Sequence, residues 1–207
     1  MTVIRPSWTS RSRHFVENGP MSTALGTERL WLRLPGPGDA TAAAQLVTDP
    51  EVMRFLGGDV VPQERVGTVV ERWIRRWEDN GIGFFVVERR ADGAFLGRVG
   101  LSIWDVRSWT HATLAGAGGY AQPELGWALV RSHWGRGYAT EAAAAVRDWA
   151  LEQRDIRRLI SLVAPDNLAS AAVARRLGAV PTQEVKLFDS GAAVIWEHPR
   201  APRPSPS

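Results

Sequence analysis

The chain of 207 residues contains no cysteine, which excludes disulfide bonds and catalysis by a thiol. A zinc site would depend on the four histidines and on carboxylates, so we expect no metal centre. No apolar run approaches the ~20 residues that a membrane-spanning helix requires. The first residues also lack the long apolar region of a secretory signal. We therefore expect a cytoplasmic protein without a membrane partner.

Charge is nearly balanced, with 25 Lys and Arg against 22 Asp and Glu, a net charge of +3. This excess suits an anionic ligand, but it is not clustered enough to indicate a nucleic-acid-binding module. The hydrophobic fraction of 44% is ordinary for one globular domain. Residues 1–24 show no periodicity, and residues 199–207 are rich in proline. We expect a flexible extension over 1–24, one domain over 25–198 and a disordered tail over 199–207.

A short glycine-containing turn lies between an apolar run that ends at Val130 and a long helical pattern. The apolar residues of that pattern recur at helical spacing, at Ala139, Ala142, Ala143, Val146, Trp149 and Ala150. Gly135 and Gly137 let the backbone turn sharply and present its N–H groups. A helix N-terminus favours phosphate, and Arg131 and Arg136 can add charge-assisted hydrogen bonds. The turn therefore predicts a pyrophosphate site.

The residues of this turn, Trp134-Gly-Arg-Gly-Tyr-Ala-Thr-Glu-Ala142, resemble the acyl-CoA-binding loop of the GCN5-related N-acetyltransferases (GNAT family). The similarity is greatest to the RimJ/RimL-like subgroup, with Trp134 standing where most members have Arg or Gln. Two further stretches match the family, Thr27-Glu-Arg-Leu-Trp-Leu-Arg33 and Asn167-x-x-Ser170 followed by Leu177-Gly178. The resemblance implies an α/β fold with a single mixed, mostly antiparallel sheet flanked by helices on both faces.

The hydrophobic pattern predicts alternating strands and helices in an order that agrees with this fold. The predicted elements are a strand at 27–33, a helix at 40–47 capped by Asp39, a helical turn at 51–55, a helix at 66–77, strands at 84–89 and 95–104, a strand ending at Val130, the helix after Gly137, a strand at 158–163, a helix after Asn167 with Ala169, Val173 and Leu177 on its buried face, and a hairpin of 184–188 and 192–196. Segment 105–121 is longer than the family pattern. We interpret it as a substrate-side lid or, alternatively, a mobile insertion.

The resemblance implies acetyl-CoA as co-substrate, with the backbone N–H groups of the glycine turn on its pyrophosphate. Strand 126–130 would lie beside the pantetheine arm, and one of its N–H groups would face the thioester carbonyl. The sequence leaves open which N–H does so. The predicted contacts are Trp127, Leu129, Val130, Arg131, Gly135, Arg136, Gly137, Tyr138, Ala139, Thr140 and Asn167.

Glu124 is the predicted general base. It stands at the head of that strand in Pro123-Glu-Leu-Gly-Trp127, which resembles the Glu-x-Gly-Tyr/Trp of RimL-like proteins. Strand alternation places Glu124 and Gly126 on one face, and Leu125 and Trp127 on the other. The alternative for Glu124 is a solvent-facing residue at the start of a strand.

Asn167 and Ser170 share one face at the start of a helix. The resemblance assigns the amide to the pantetheine arm and the hydroxyl to protonation of the thiolate; the alternative is a helix cap and a surface serine. Many family members instead use a tyrosine four residues before the helix-ending glycine, but Ala174 stands there. Ser170 or water must then act as the acid.

These features predict transfer of an acetyl group to a primary amine by direct attack. The acceptor would be a protein N-terminus or a small molecule such as an aminoglycoside or a polyamine, and a homodimer is compatible with the sequence. The alternative is a non-catalytic protein that binds CoA or a nucleotide in the same cleft. The missing tyrosine favours that alternative, whereas Glu124 and Ser170 argue against it.

Overall fold

The computed structural model describes residues 24–56, 59–154, 156–187 and 191–199. The predicted extension over 1–24 and the predicted tail over 199–207 lie almost entirely outside these ranges. Phe188 and the turn residues Asp189 and Ser190 of the predicted closing hairpin also lie outside them.

The described residues form one nine-stranded sheet with helices on both faces. The strands are β1 (Leu25–Gly26), β2 (Leu30–Arg33), β3 (Phe84–Arg89), β4 (Phe95–Asp105), β5 (Thr110–Ala112), β6 (Ala121–Leu129), β7 (Ile160–Val163), β8 (Val180–Leu187) and β9 (Gly191–Glu197). The helices are α1 (Ala40–Val47), α2 (Pro50–Met53), α3 (Val66–Asn80), α4 (Leu114–Ala117), α5 (Tyr138–Gln153) and α6 (Leu168–Arg176). The strand order is β1-β2-β3-β4-β6-β7-β9-β8, with β5 paired to β4. Only the β6–β7 pair is parallel among these pairs, so the predicted mixed, mostly antiparallel sheet is confirmed.

Side-chain alternation along the strands divides the core into two layers. The layer under α5 contains Leu125 and Leu129 of β6, both buried. The layer under α1 and α3 contains Ala128 of β6 and Phe84 of β3. Glu124 and Gly126 are in phase with Ala128, and they therefore face the α3 side of the sheet.

Asp39 precedes α1 as predicted, but its side chain does not cap that helix. The carboxylate accepts hydrogen bonds from the Arg33 guanidinium at 2.6 and 2.9 Å and from the N–H of Gly36 at 2.7 Å. Burial alone would raise the pKa of Asp39, but these hydrogen bonds hold it below its usual value. The prediction of a cap is wrong because Arg33 competes for the same oxygens.

Asp39→Asn should lower the free energy of unfolding by about 1.5–3 kcal/mol at pH 7, the usual effect of losing a hydrogen bond to a charged group. Because the folded-state pKa is depressed, this stabilisation is present above the unfolded pKa of about 3.9 and is lost as the pH falls below it. Urea unfolding of both proteins at pH 7 and pH 3 measures the difference. A difference of equal size at both pH values would contradict the ionic role.

The buried face of α6 also differs from the prediction. Ala171, Ala174 and Leu177 are buried, whereas Ala169 is exposed and Val173 is half-buried. Ala171 and Ala174 pack with Val163 of β7, so the sheet rather than the sequence spacing selects the row that faces inward.

Segment 105–121 is partly regular. β4 continues to Asp105 and turns back through β5, and α4 follows before β6 begins. Within β5, His111 lies opposite Trp104, and their rings are 4.1 Å apart. The segment therefore extends the sheet and places an imidazole beside the end of β4.

Candidate active site

The parallel strands β6 and β7 pair at one position of the described chain, Glu124 opposite Ile160. Just beyond it, the Ser161 hydroxyl donates to the carbonyl of Leu125 at 2.6 Å. His198 Nε2 lies 2.9 Å from the same hydroxyl, and burial followed by the charge of Arg147 lowers the pKa of His198 to about 4. A neutral imidazole therefore supports the serine that binds the Leu125 carbonyl. The two strands diverge from this point, since no further described pair joins them. We call the unpaired edge of β6, from Leu125 to Leu129, the opening.

Odd-numbered residues of β6 turn their backbone groups toward this opening. The Leu125 carbonyl does so, and the Leu129 carbonyl accepts a hydrogen bond from Trp134 Nε1 at 2.7 Å. Because the N–H and C=O of one strand residue share a side and the side alternates along the strand, the backbone of Trp127 also faces the opening. No described residue binds the backbone of Trp127 on that edge. The N–H groups on this edge of β6, that of Trp127 among them, are therefore the candidates for the oxyanion donor that the sequence left open.

The glycine turn stands at the far end of the same opening. Gly135 and Gly137 adopt φ of 72° and 79°, values that favour glycine, and Gly137 immediately precedes α5. The N–H groups of residues 135–140, which include the predicted Arg136, Tyr138, Ala139 and Thr140, donate to no described backbone or side chain. Free donors at the N-terminus of a 16-residue helix fit a pyrophosphate.

An arginine that sequence reasoning missed fixes this turn to the sheet. Arg29 donates to the carbonyl of Arg136 at 3.1 Å and to the carboxylate of Glu141 at 2.6 Å, and it lies 4.7 Å from the ring centroid of Tyr138. The hydroxyl of Thr27 donates to the same carboxylate. The second stretch that matches the family thus supports the glycine turn from more than a hundred positions away in the chain.

Two of the predicted CoA contacts, Val130 and Arg131, have other partners in the structure. The N–H of Val130 donates to the carbonyl of Leu96, and its side chain lies in the α3 layer, so Val130 does not face the opening. Arg131 lies 3.3 Å from the carboxylate of Asp49, which balances part of its charge. The backbone N–H groups of residues 135–140 are therefore better candidates for phosphate binding than the side chain of Arg131.

Glu124 is held by two side chains of β4. Ser102 Oγ donates to Glu124 Oε2 at 2.6 Å, and Trp104 Nε1 donates to the same oxygen at 2.8 Å. Oε1 has no partner among the described residues, and a Cβ placed on Gly126 would lie 3.7 Å from it. The predicted shared face of Glu124 and Gly126 is confirmed. Glu124 is half-buried and fixed, not the solvent-facing residue of the alternative interpretation.

A cavity of about 150 Å³ lies in front of Glu124. Its lining includes side chains from four elements, namely Arg76 of α3, Arg98 of β4, His111 of β5, and Ala192 and Ala193 of β9. None of these side chains was predicted as a site residue. No sequence pattern could indicate that they share a cavity, because only the register of β4 and the packing of α3 bring these distant residues together.

Asn167 and Ser170 line the other side of the same cavity. Asn167 Oδ1 accepts from the N–H of Ser170 at 3.0 Å, so the cap interpretation is correct. Ser170 Oγ in turn accepts from Trp127 Nε1 at 3.3 Å, which leaves the hydroxyl proton free to donate. The structural role and the predicted catalytic role are therefore compatible.

In the part of the chain that the structure describes, no group of three or more His, Cys, Asp or Glu side chains is placed to hold a metal ion. Likewise, none of the helices in these residues has the length and apolar character needed to cross a membrane.

Comparisons of the sequence and of the structure with known proteins identify the same family. A family model described as an acetyltransferase (GNAT) domain matches residues 29–180. The uncharacterized protein YkkB of Bacillus subtilis (strain 168) is 30% identical over 174 residues, which cover 83% of this chain and 94% of that protein.

Solved structures share the fold. An acetyltransferase from Agrobacterium tumefaciens str. C58 superposes with a TM-score of 0.69 at 29% identity, covering 91% of this chain and 99% of that one. The ribosomal L7/L12 α-N-protein acetyltransferase RimL, in complex with coenzyme A, superposes with a TM-score of 0.64 at 20% identity, covering 83% and 94%. Because the identity to RimL is only 20%, this similarity shows a shared fold and nothing more.

Proposed function

Because the chain belongs to the GNAT acetyltransferase family, we propose that it transfers an acetyl group from acetyl-CoA to a primary amine by direct attack. One observation carries the proposal. Glu124 is fixed through Oε2 at the point where β6 and β7 diverge, and its free Oε1 faces a cavity. A fixed carboxylate with one free oxygen suits general-base catalysis.

Acetyl-CoA supplies the activated acyl group as a thioester. In this proposal the N–H groups of residues 135–140 bind its pyrophosphate, and Arg29 keeps the turn in place. The backbone of Trp127 pairs with the pantetheine arm as a strand edge would, and its N–H donates to the thioester oxygen as negative charge develops there.

Glu124 Oε1 takes the proton from the attacking amine, either directly or through one water. An α-amine has a pKa near 8, so only modest basicity is needed. The new C–N bond forms as the C–S bond breaks, and the thiolate leaves with a proton from Ser170 or from water. Ser102 and Trp104 keep the carboxylate oriented throughout.

Ser170→Ala should lower kcat by about tenfold if the hydroxyl protonates the thiolate, which is less than the ~10²–10⁴-fold usual for an acid catalyst because water can replace the hydroxyl. The Kd for acetyl-CoA should stay within about twofold. Steady-state release of the free CoA thiol measures kcat. Ser170→Thr keeps a hydroxyl and should restore part of the activity, while Ser108→Ala in an exposed turn is the matched control. Unchanged turnover in Ser170→Ala would assign the proton to water.

Calorimetric titration of the purified protein with acetyl-CoA tests the proposal, with ATP and NAD as controls. Binding of acetyl-CoA alone, followed by amine-dependent release of CoA thiol, is the expected result. No binding of acetyl-CoA would refute the proposal. Binding without thiol release for any amine would favour a non-catalytic CoA-binding protein, the alternative that Ala174 in place of a tyrosine supports.

A further inference from the structure

Two arginines line the cavity without a partner. The guanidinium groups of Arg76 and Arg98 make no hydrogen bond or ion pair with any described residue. Both stack on Phe84, with Cζ of Arg98 3.8 Å and Cζ of Arg76 5.2 Å from the ring centroid. Stacking fixes a guanidinium by its face and leaves the N–H donors at its edge free. These donors are therefore held in place and available to a ligand.

The fixed charge of the cavity is positive. Glu124 is the single carboxylate among the described residues that line it, and its Oε2 is already bound by Ser102 and Trp104. Burial, reinforced by Arg76, lowers the pKa of Arg98 to about 10, so Arg98 remains a cation at neutral pH. Burial and the two guanidinium charges also lower the pKa of His111, which is therefore neutral. Two cations thus face one anion, and a desolvated charge is unfavourable until it is paired.

The register of β4 and β6 sets the distance between the opposite charges. Ser102 pairs with Glu124, the next inward-facing pair is Gly100 with Gly126, and the pair after that is Arg98 with Ala128. The row between the carboxylate and the arginine thus carries no side chain of its own. The edge of the Phe84 ring lies over it, 3.7 Å from a Cβ placed on Gly126. On the other half of the row, the backbone of Gly83 and Phe84 lies within 2.9 Å of a Cβ placed on Gly100, so only the space above Gly126 remains for a short apolar chain.

We propose that the acceptor is an amine that also carries a carboxylate on a short chain. Its amine lies at Glu124, and its carboxylate binds the free N–H edges of Arg98 and Arg76, the geometry in which arginine pairs best with a carboxylate. This inference rests on the proposed function and narrows it, because a polyamine or an aminoglycoside would bring further positive charge to a cationic cavity.

Matched acids and amides test the proposal. The probes are β-alanine, 4-aminobutyrate and a tetrapeptide with Glu at its second position, each compared with the amide of the same carboxylate. Any of these acids that the protein acetylates should exceed its own amide in kcat/KM by at least about tenfold, the usual effect of a charge-assisted hydrogen bond. The peptide pair distinguishes a free amino acid from a protein N-terminus as the source of the carboxylate.

Arg98→Met removes the charge and keeps most of the length of the side chain. It should abolish the preference for the acid over its amide, and Arg98→Lys should restore part of that preference. Arg75→Met on the exposed face of α3 removes the same charge outside the cavity and is the matched control. Thermal unfolding reports whether each variant folds. Should Arg98→Met not fold, Arg76→Met takes its place.

Equal rates for acids and amides in the unmodified protein would overturn this inference and leave the acetyltransferase proposal standing. Should no amine be acetylated although acetyl-CoA binds, the proposed function fails. The inference about the carboxylate is then tested separately, by calorimetry of the same probes with the CoA-loaded protein. Binding of an acid but not its amide, lost in Arg98→Met, supports it. No binding of any acid overturns it.

Discussion

Glu124→Gln is expected to lower kcat for amine acetylation by about 10²–10⁴-fold, the range attributed to a general base. The Kd for acetyl-CoA should stay within about twofold, because no phosphate or pantetheine contact is proposed for this side chain. Gln is close to isosteric, and its carbonyl oxygen can keep the hydrogen bonds from Ser102 and Trp104. Its amide nitrogen then faces the cavity, where it cannot accept a proton from the amine. Stopped assays of CoA thiol release and calorimetry separate the two quantities.

The control is Glu71→Gln, which makes the same chemical change on the exposed face of α3. It should leave both kcat and Kd unchanged. Equal turnover in Glu124→Gln and in the unmodified protein would remove Glu124 from the mechanism, and the partially buried carboxylate would then have only a structural role.

The elements with strong local periodicity were predicted well. The helix predicted at 66–77 and the helix predicted after Gly137 are both present, and the predicted apolar positions of the second are buried at Ala142, Ala143, Val146, Trp149 and Ala150. The position of the glycine turn relative to β6 could also be predicted, since a sharp turn between a strand and a helix depends on residues that are neighbours in the sequence. Where tertiary contacts compete with a local pattern, as for the cap at Asp39 and for Ala169 of α6, the prediction was wrong.

The site was predicted only in part, for a related reason. Glu124 could be proposed from its position at the head of a strand and from the family resemblance of that stretch. Its partners Ser102 and Trp104 lie about twenty residues earlier and are set by the register of β4. Arg76 and Arg98 carry no sequence signal, because an arginine on a helix or strand usually faces solvent. Only the packing of α3 against the sheet turns both toward one cavity.

Gly137→Ala is expected to weaken acetyl-CoA binding by about 100-fold. At φ of 79° a side chain is strained, and a Cβ there would lie 3.4 Å from the guanidinium of Arg29, the residue that fixes the turn. The turn must shift, and the N–H groups of residues 135–140 then lose their alignment. Losing charge-assisted hydrogen bonds to a phosphate, each about 1.5–3 kcal/mol, accounts for an effect of this size.

The matched control for Gly137→Ala is Gly93→Ala in the turn between β3 and β4. Gly93 has φ of 71°, and a Cβ placed on it meets nothing within 4 Å. Both substitutions should lower stability by about 1 kcal/mol through the same backbone strain, which thermal unfolding measures. Only Gly137→Ala should lose affinity for acetyl-CoA in calorimetry. Similar affinity losses in both variants would mean that strain alone weakens binding, whereas a loss confined to Gly137→Ala assigns the phosphates to this turn.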